Sequence, residues 1–574
     1  MIKLFKRVAA VATLSILVIS CGNAANDNDA DILGYIPADT PYVFASTEPL
    51  PSDLADKLEP TMDEILQAYQ RVLRHVMAEQ LVKMSSQEGG AEEAEKFRGL
   101  MEEILGLMSL DGIRGMGIER DSAFAFYGNG LLPVLRFELS DAALFNAAIE
   151  RIEEKAKEDL LVGDVKGQPY KYANADKLNF IVATLDEQAV ITIVPASYDE
   201  SQLALALGID KPATSLKKSN GLGKIAGEYG FSGLMTGFVD IERTVGVFAG
   251  VRTEADNALF AAFEETPPEL SEVCEAEIRE MAGIAPRMVF GYSSASAEQI
   301  TSAMIIELRE DLAEGLATVP TAVPGLGSDP GGLLSLGFGL DLMALREFYE
   351  ARLDAMEADP YECEMFADLQ SGVAKGREAL NQPLPPVVYS FRGFVANVAD
   401  IQGMDMATNT PPTSVDASIL VAVENAESLL MMAAMMDPQI AALNLVPDGK
   451  PVKLELAQLA EFTEDAFAAL STDALSVSLG EGAESKSAEM LVATSADPAP
   501  FMSMNMDSAR YYAMIGDSMA QDLANDDGEE LPRAVQEAMR DVMLLSGSIY
   551  ERMSVDVQFT RRGIEINGRM TLGD

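Results

Sequence analysis

The sequence predicts an α+β fold that is internally duplicated, with antiparallel strands packed against helices in two tandem halves. Three segments pass from the apolar alternation of a strand into an aspartate and then into helical spacing. Further along the chain, each of these segments is followed by a paired-strand pattern. The same order of patterns occurs twice, and this recurrence predicts the duplication.

Three aspartates, Asp240, Asp341 and Asp507, are expected to be helix N-caps. A carboxylate in that position accepts hydrogen bonds from the free amides of the first helical turn. Apolar residues stand one and five positions before each aspartate, as the buried face of a strand requires. The segments that carry this pattern are 233–248, 333–349 and 501–516.

Paired-strand patterns begin at Pro286, Pro385 and Glu551, and the last of them alternates cleanly on both sides of a turn. A looser first copy of the whole pattern runs from residue 41 to residue 139. In each half, a helix and a hairpin lie between one copy and the next. The recurring order therefore predicts two halves of similar construction.

These halves are expected to occupy residues 34–317 and 333–574. The segment between them, 318–332, reads TVPTAVPGLGSDPGG and is dense in proline and glycine. Such a composition is typical of a linker, because both residues interrupt regular secondary structure.

The amino end of the chain predicts export. Lys3, Lys6 and Arg7 precede an apolar run from Val8 to Ile19, which is shorter than the about 20 residues that a membrane-spanning helix needs. A basic start followed by a short apolar run is typical of a secretory signal. Residues 1–20 are therefore expected to form a signal peptide.

The residues around the cleavage point, Val18-Ile19-Ser20-Cys21, resemble the lipobox of bacterial lipoproteins. In that family the cysteine thiol receives a diacylglyceryl group, the signal is cut before it, and the new amine is acylated. The resemblance implies a lipid on Cys21, a flexible tether over residues 21–33 and, because Gly22 follows instead of an aspartate, sorting to the outer membrane. Several acyl chains, at about 0.8 kcal/mol per buried methylene, make a durable anchor.

The composition is strongly acidic. The chain holds 91 Asp and Glu against 42 Lys and Arg, for a formal net charge of −49. A surface this negative repels nucleic acid and anionic lipid headgroups, so no nucleic-acid partner is expected. With 48% hydrophobic residues, the chain has enough apolar side chains to build sizeable cores.

Cysteine usage predicts one disulfide. If Cys21 carries lipid, Cys274 and Cys363 remain as an even pair in a compartment that permits disulfides. We therefore expect a bond between them. The alternative is two separate buried thiols.

The sequence contains no complete catalytic motif of the kinds considered below, so we expect no enzyme and no cofactor. His75 is the only histidine, so the chain cannot supply a two-histidine metal site, and we expect it to be an ordinary helix residue. Ser215 and Lys218 match S-x-x-K, the nucleophile motif of penicillin-binding enzymes, but the companion K-T-G motif is absent. Among 91 acidic residues, the sequence cannot select a pair for glycosidase chemistry.

The arrangement of methionines is the one unusual feature that points to a metal site. Met502, Met504 and Met506 alternate along a predicted strand, and because thioethers bind copper(I) they form a candidate metal site. In the other copies of the pattern, aliphatic residues such as Val239 and Leu336 hold matching positions. The second interpretation is therefore that these methionines replace ordinary core residues.

The segment YIPADTPYVF at 35–44, with the strand and helix layout after it, resembles an uncharacterised family of bacterial envelope proteins that carry a domain of unknown function. That resemblance implies no activity. We expect an outer-membrane-anchored, periplasm-facing lipoprotein with a binding or structural role, whose partner is an envelope protein or a lipophilic ligand. The alternatives are a periplasmic metal-binding protein, with copper on methionine or calcium on carboxylates, and an envelope hydrolase.

Overall fold

The computed structural model of the chain describes residues 31–86, 90–263, 270–383, 385–404, 410–436, 440, 443–455, 463, 465–525 and 533–573. The chain divides into two compact units. The first comprises the described residues up to Ser302 together with Glu530–Leu545. The second comprises Ala303–Glu529 together with Ser546–Asp574.

The first unit is an antiparallel sheet with helices. Its strands are β1 (Tyr42–Ser46), β2 (Phe124–Asn129), β3 (Leu132–Glu138), β4 (Leu161–Val165), β5 (Gln168–Ala175), β6 (Leu178–Leu185), β7 (Gln188–Pro195), β8 (Thr236–Asp240) and β9 (Arg287–Ala295). Strand β10 (Gln299–Glu307) contains the boundary, with its residues up to Ser302 in the first unit and those from Ala303 in the second. The strand order is β4-β5-β6-β7-β3-β2-β1-β8-β9. Its helices are α1 (Ser52–Ser85), α2 (Gly90–Leu107), α3 (Leu110–Arg114), α4 (Ala142–Ala156), α5 (Glu200–Leu207), α6 (Leu216–Ser219), α7 (Gly221–Tyr229), α8 (Ile241–Gly246), α9 (Glu254–Phe263) and α10 (Glu272–Ala282).

The second unit is also an antiparallel sheet with helices. Its helices are α11 (Glu310–Leu316), α12 (Leu342–Ala358), α13 (Ala367–Asn381), α14 (Pro386–Ser390), α15 (Ala426–Met436), α16 (Ala483–Leu491) and α17 (Ser508–Asn525). Its strands are β11 (Leu334–Gly339), β12 (Phe391–Gln402), β13 (Ser414–Val423), β14 (Val452–Lys453), β15 (Ala466–Leu470), β16 (Ala474–Leu479), β17 (Met502–Asp507), β18 (Arg552–Thr560) and β19 (Gly563–Thr571). The strand order is β14-β15-β16-β13-β12-β11-β17-β18-β19. A further helix, α18 (Arg533–Ser548), belongs as far as Leu545 to the first unit.

The predicted α+β class, with antiparallel strands packed against helices, is confirmed. In the first unit, Phe137 of β3 meets Phe145 of α4 edge to face, with ring centroids 5.6 Å apart. Phe124 of β2 and Leu135 of β3 belong to the same buried cluster. The apolar face of α4 therefore covers this side of the sheet. The internal duplication and the boundaries of the two halves stay predictions.

The start of the described chain is fixed to the first unit. Asp31–Gly34 forms a 3-10 turn, and both Ile32 and Ile36 are fully buried. The ring of Tyr35 lies between two cations, with the Arg136 guanidinium carbon 4.2 Å and the Lys211 ammonium 4.3 Å from its centroid. The described end of the expected tether is therefore packed, and residues 21–30 lie outside the described residues.

Aspartates stand at the starts of three helices. Asp240 and Asp507 each accept a hydrogen bond from the backbone N–H three residues on, at 2.7 and 3.0 Å. Asp341 accepts two such bonds, at 2.9 and 3.1 Å, in the first turn of α12. Each carboxylate thus satisfies amides that have no partner inside the helix.

The proline- and glycine-rich segment 318–332 lies inside the second unit. Val319, Val323 and Leu326 in this segment are at most 1% exposed. Val323 and Leu326 belong to a buried cluster that also contains Leu420 of β13. Apolar residues between the prolines and glycines thus hold the segment on the sheet, where it helps to form the site described below.

Asp341 is expected to stabilise the second unit through its two cap bonds. Replacing it with alanine leaves both first-turn amides without this acceptor, so the free energy of unfolding should fall by about 1 kcal/mol. Asp359, exposed at the other end of α12, is the matched control, because it stands at the C-terminal end of the helix, where an acidic residue has no first-turn amides to cap. Urea denaturation of D341A and D359A tests this expectation, and equal losses in the two variants would contradict it.

Candidate functional site

A pocket of about 330 Å³ opens in the second unit. Its floor is formed by β12 and β13, which contribute Asn397, Asp416 and Ser418. Helix α16 forms one wall, and residues 324–332 of the proline- and glycine-rich segment form another. A volume near the lower end of the usual range for ligand pockets, about 300–1,000 Å³, suits a small ligand.

A row of five polar side chains crosses the sheet at this pocket. Asn505 on β17 is the register partner of Ser335 on β11, and Ser335 is also the partner of Asn397 on β12. Asn397 is the partner of Ser418 on β13, which is in turn the partner of Ser478 on β16. Directly opposed residues in a sheet share one face, so all five lie on the same side. We call these five residues the polar row.

Four members of the polar row are buried and Asn397 is partly exposed, and the five side chains differ in whether they have hydrogen-bond partners. The Ser335 hydroxyl donates to Asn397 Oδ1 at 2.7 Å, and Asn505 Nδ2 donates to the carbonyl of Ser328 at 3.1 Å. Ser478 is fully buried, and its hydroxyl has no hydrogen-bond partner among the described residues. A buried hydroxyl without a partner is costly, so a row of this kind is not what packing alone favours.

An ion pair stands at the edge of the pocket. The Lys486 ammonium donates to both carboxylate oxygens of Asp416, at 2.6 and 2.9 Å. The two side chains are 35% and 24% exposed, so water still reaches them. An ammonium group has three N–H donors, and one of them is left after the two bonds to Asp416.

Other polar groups in the pocket stay available to a ligand. Glu489, one helical turn beyond Lys486, is exposed and makes no ion pair within the described part of the chain. Asn397 uses its carbonyl oxygen for Ser335, and no bond of its amide NH₂ to any described residue is found. The pocket therefore presents a cationic donor, an anionic acceptor and a neutral amide.

The wall formed by residues 324–332 is held in place. Arg552 donates to both carboxylate oxygens of Asp329, at 2.7 and 2.5 Å, and to the carbonyl of Gly332 at 3.0 Å. Gly332 has a φ of +82°, and a Cβ there would lie 2.7 Å from the Cα of Ala399. Only glycine fits this close approach, so the wall is formed before any ligand arrives.

Neither of the two described cysteines, Cys274 and Cys363, lines this pocket. Cys21 lies outside the described residues. Cys274 lies in the first turn of α10, where its backbone N–H donates to the hydroxyl of Ser271 at 3.2 Å. Cys363, in the second unit, is 3% exposed. The disulfide between Cys274 and Cys363 stays a prediction.

The three candidate methionines lie on the opposite face of the second sheet. Met502, Met504 and Met506 alternate along β17 with Ser503 and Asn505, so they point away from the polar row. Their register partners are Phe338, Leu336 and Leu334 on β11 and Val557, Val555 and Met553 on β18. These neighbours are mostly hydrocarbon, which supports the interpretation of the three methionines as residues of an apolar face.

The other candidate residues of the sequence motifs, His75, Ser215 and Lys218, lie on or beside helices of the first unit. His75 is an exposed residue of α1. Ser215 is 1% exposed and is the N-cap of α6, where its hydroxyl accepts the N–H of Lys218 at 3.3 Å. The Lys218 ammonium donates to the carbonyl of Ala213 at 3.1 Å. The S-x-x-K match therefore coincides with a helix start.

The described residues contain no cluster of three or more His, Cys, Asp or Glu side chains arranged to hold a metal ion. Across the same residues, no helix combines the length and the apolar character needed to cross a bilayer. The chain matches no protein-family model, no curated protein and no solved structure. The function must therefore be argued from the site itself.

The pocket residues were not identified from the sequence. Asp416 and Lys486 are 70 positions apart, and neither belongs to a recognisable motif. A signal was nevertheless present in the strand patterns, because Ser476 and Ser478, and likewise Ser503 and Asn505, alternate with apolar residues. Alternation of this kind usually indicates a solvent-facing side of a sheet. Here that side is covered, and its polar residues form part of a site.

Ser476 and Ser478 offer a matched test of the polar row, since both are fully buried on one face of β16. The Ser476 hydroxyl donates to the carbonyl of Ser487 at 2.5 Å, with the carbonyl of Ala469 also within reach at 3.3 Å, whereas the Ser478 hydroxyl has no partner in the described part of the chain. We expect S476A to lower the free energy of unfolding by about 1 kcal/mol and S478A to leave it unchanged or to raise it. Urea denaturation measures both variants, and an equal loss in S478A would show that its hydroxyl has a partner.

Proposed function

We propose that the chain is an exported, lipid-anchored protein of the bacterial envelope that binds a small polar ligand in its second unit. The observation that carries the ligand-binding part is the pocket with its polar row, its preformed wall and its available donor and acceptor groups. Polar groups that are buried in proteins normally have hydrogen-bond partners. A concave site in which several polar groups still have donors or acceptors to offer is therefore a good candidate for ligand binding.

The anchoring part of the proposal is supported by the amino end of the sequence. The basic start, the short apolar run and Val18-Ile19-Ser20-Cys21 together resemble a lipoprotein signal. With Gly22 after the cysteine, the proposed location is the outer membrane, with the body of the protein facing the periplasm. A tether of polar residues then connects the anchor to the first described turn at Asp31.

We propose a binding role without catalysis. The ionisable residues of the pocket are Asp416, Lys486 and Glu489, and the first two are engaged with each other. A general acid or base needs a proton-transfer group within hydrogen-bond reach of the reacting atoms. The only histidine, His75, belongs to α1 of the first unit instead. The arrangement favours holding a ligand over transforming it.

An envelope-protein partner, a lipophilic ligand and a bound metal ion all stay predictions. An envelope-protein partner or a lipophilic ligand would use apolar surface, whereas this pocket contains three charged side chains, Asp416, Lys486 and Glu489, among its lining residues. Copper on methionine would require the thioethers of β17, which lie on the other face of the sheet. We therefore place the polar ligand first and the metal-binding alternative second.

Native mass spectrometry of the protein purified from its own host in mild detergent tests the ligand-binding part. We expect a small-molecule mass in addition to the lipid, and we expect K486M to lose it because the pocket then lacks its cation. K453M is the matched control, since Lys453 is exposed, pairs with Asp465 and does not line the pocket. If the wild-type protein and K486M show the same mass apart from the substitution, the ligand-binding proposal is wrong.

The anchoring part is tested by the state of the three cysteines. We expect mature protein from the native host to carry lipid on Cys21 and to contain no titratable thiol when unfolded without reductant. C21S should keep residues 1–20 and lose the lipid, whereas C363S should keep the lipid and expose one thiol, that of Cys274. Mass spectrometry and thiol titration measure these outcomes. An unlipidated wild-type chain that begins at Met1 would contradict the anchor, and two free thiols would contradict the disulfide.

A further inference from the structure

The polar row is not a requirement of this kind of sheet, because the corresponding row of the first unit is hydrocarbon at three of its five positions. In each unit the row can be located from the strand residue two positions before a capping aspartate, Asn505 in the second unit and Phe238 in the first. Following the register from Phe238 leads across the first sheet through Val43, Tyr127, Val134 and Thr192.

Three of these five residues, Phe238, Val43 and Val134, have hydrocarbon side chains, and all five are at most 8% exposed. The other two, Tyr127 and Thr192, carry hydroxyls, and the Thr192 hydroxyl donates to the carbonyl of Pro133 at 2.9 Å. The first unit thus shows that hydrocarbon and an aromatic ring can fill most of such a row, whereas every member of the polar row is a serine or an asparagine. Because buried polar groups cost stability where hydrocarbon would not, the polar row of the second unit points to recognition of a ligand and not to packing.

The charges of the pocket set the chemical class of that ligand. Lys486 and Glu489 are three residues apart on α16, so they project from the same side of the helix with Cβ atoms about 5–6 Å apart. They do not neutralise each other, because Lys486 is bonded to Asp416. One N–H of the Lys486 ammonium is left for an anionic group, and the Glu489 carboxylate is available for a cationic group.

We infer that the pocket takes a small zwitterion of the amino-acid or short-peptide class. Its carboxylate accepts from Lys486, its ammonium group donates to Glu489, and its amide or side-chain oxygen accepts from the amide of Asn397. Consecutive Cα atoms of a peptide lie about 3.8 Å apart, so the span of a dipeptide is of the same order as the about 5–6 Å between the Cβ atoms of Lys486 and Glu489. This assignment rests on the proposed function and adds the ligand class to it.

Isothermal titration calorimetry of the mature protein with alanyl-alanine tests the assignment. The comparison ligands are the N-acetylated dipeptide, which lacks the ammonium group, the dipeptide amide, which lacks the carboxylate, and glycerol, which is neutral. We expect the free dipeptide to bind at least tenfold more tightly than either blocked form, and we expect no binding of glycerol.

Two variants test which side chain binds which end of the dipeptide. E489Q should bind the free and the acetylated dipeptides equally, and K486M should bind the free dipeptide and its amide equally. E484Q is the matched control, because Glu484 is exposed on the same helix and does not line the pocket. Far-ultraviolet circular dichroism and the thermal midpoint of each variant show whether it folds, and the comparison of blocked ligands on the wild-type protein needs no variant.

Equal affinity of the wild-type protein for the free and blocked dipeptides, or no binding of any of them, overturns the zwitterion assignment. The proposed function is judged separately by native mass spectrometry. A Lys486-dependent mass in that experiment, together with no dipeptide binding, leaves a ligand-binding protein whose ligand belongs to another class. The loss of both signals removes both proposals.

Discussion

The antiparallel register of the second sheet is the constraint on which the site depends. Side chains alternate between the two faces of a strand, so a shift of one residue exchanges the faces. On β17 such a shift would bring Met504 to the pocket side and send Asn505 to the apolar side. The register of β11 against β17 and β12 therefore places hydroxyl and amide groups under the pocket while it keeps the thioethers on the other face.

The fold class was predictable because its signals are local. A strand that ends at Asp341 and a helix that begins there can both be read from neighbouring residues, and the carboxylate accepts two first-turn amides in the structure. The site was not predictable in this way. Asp416 and Lys486 meet only because α16 packs on β13, and no spacing in the sequence records that contact.

Proline and glycine in segment 318–332 were interpreted as the composition of a linker, since both residues interrupt helices and strands. In the structure the same composition shapes a wall. Val323 and Leu326 hold the segment on the core, Gly332 permits a close backbone approach, and Arg552 fixes the carboxylate of Asp329. Whether a segment of this composition is packed depends on the apolar residues within it.

The first described turn packs on a different unit from the one that holds the pocket. Ile32, Tyr35 and Ile36 attach the amino-terminal end of the chain to the first unit, whereas every residue that lines the pocket comes from the second. The proposed lipid anchor and the proposed ligand site thus belong to separate parts of the chain. Natural variation or engineering can alter one of these traits while the other is retained, which makes the architecture modular in an evolutionary sense.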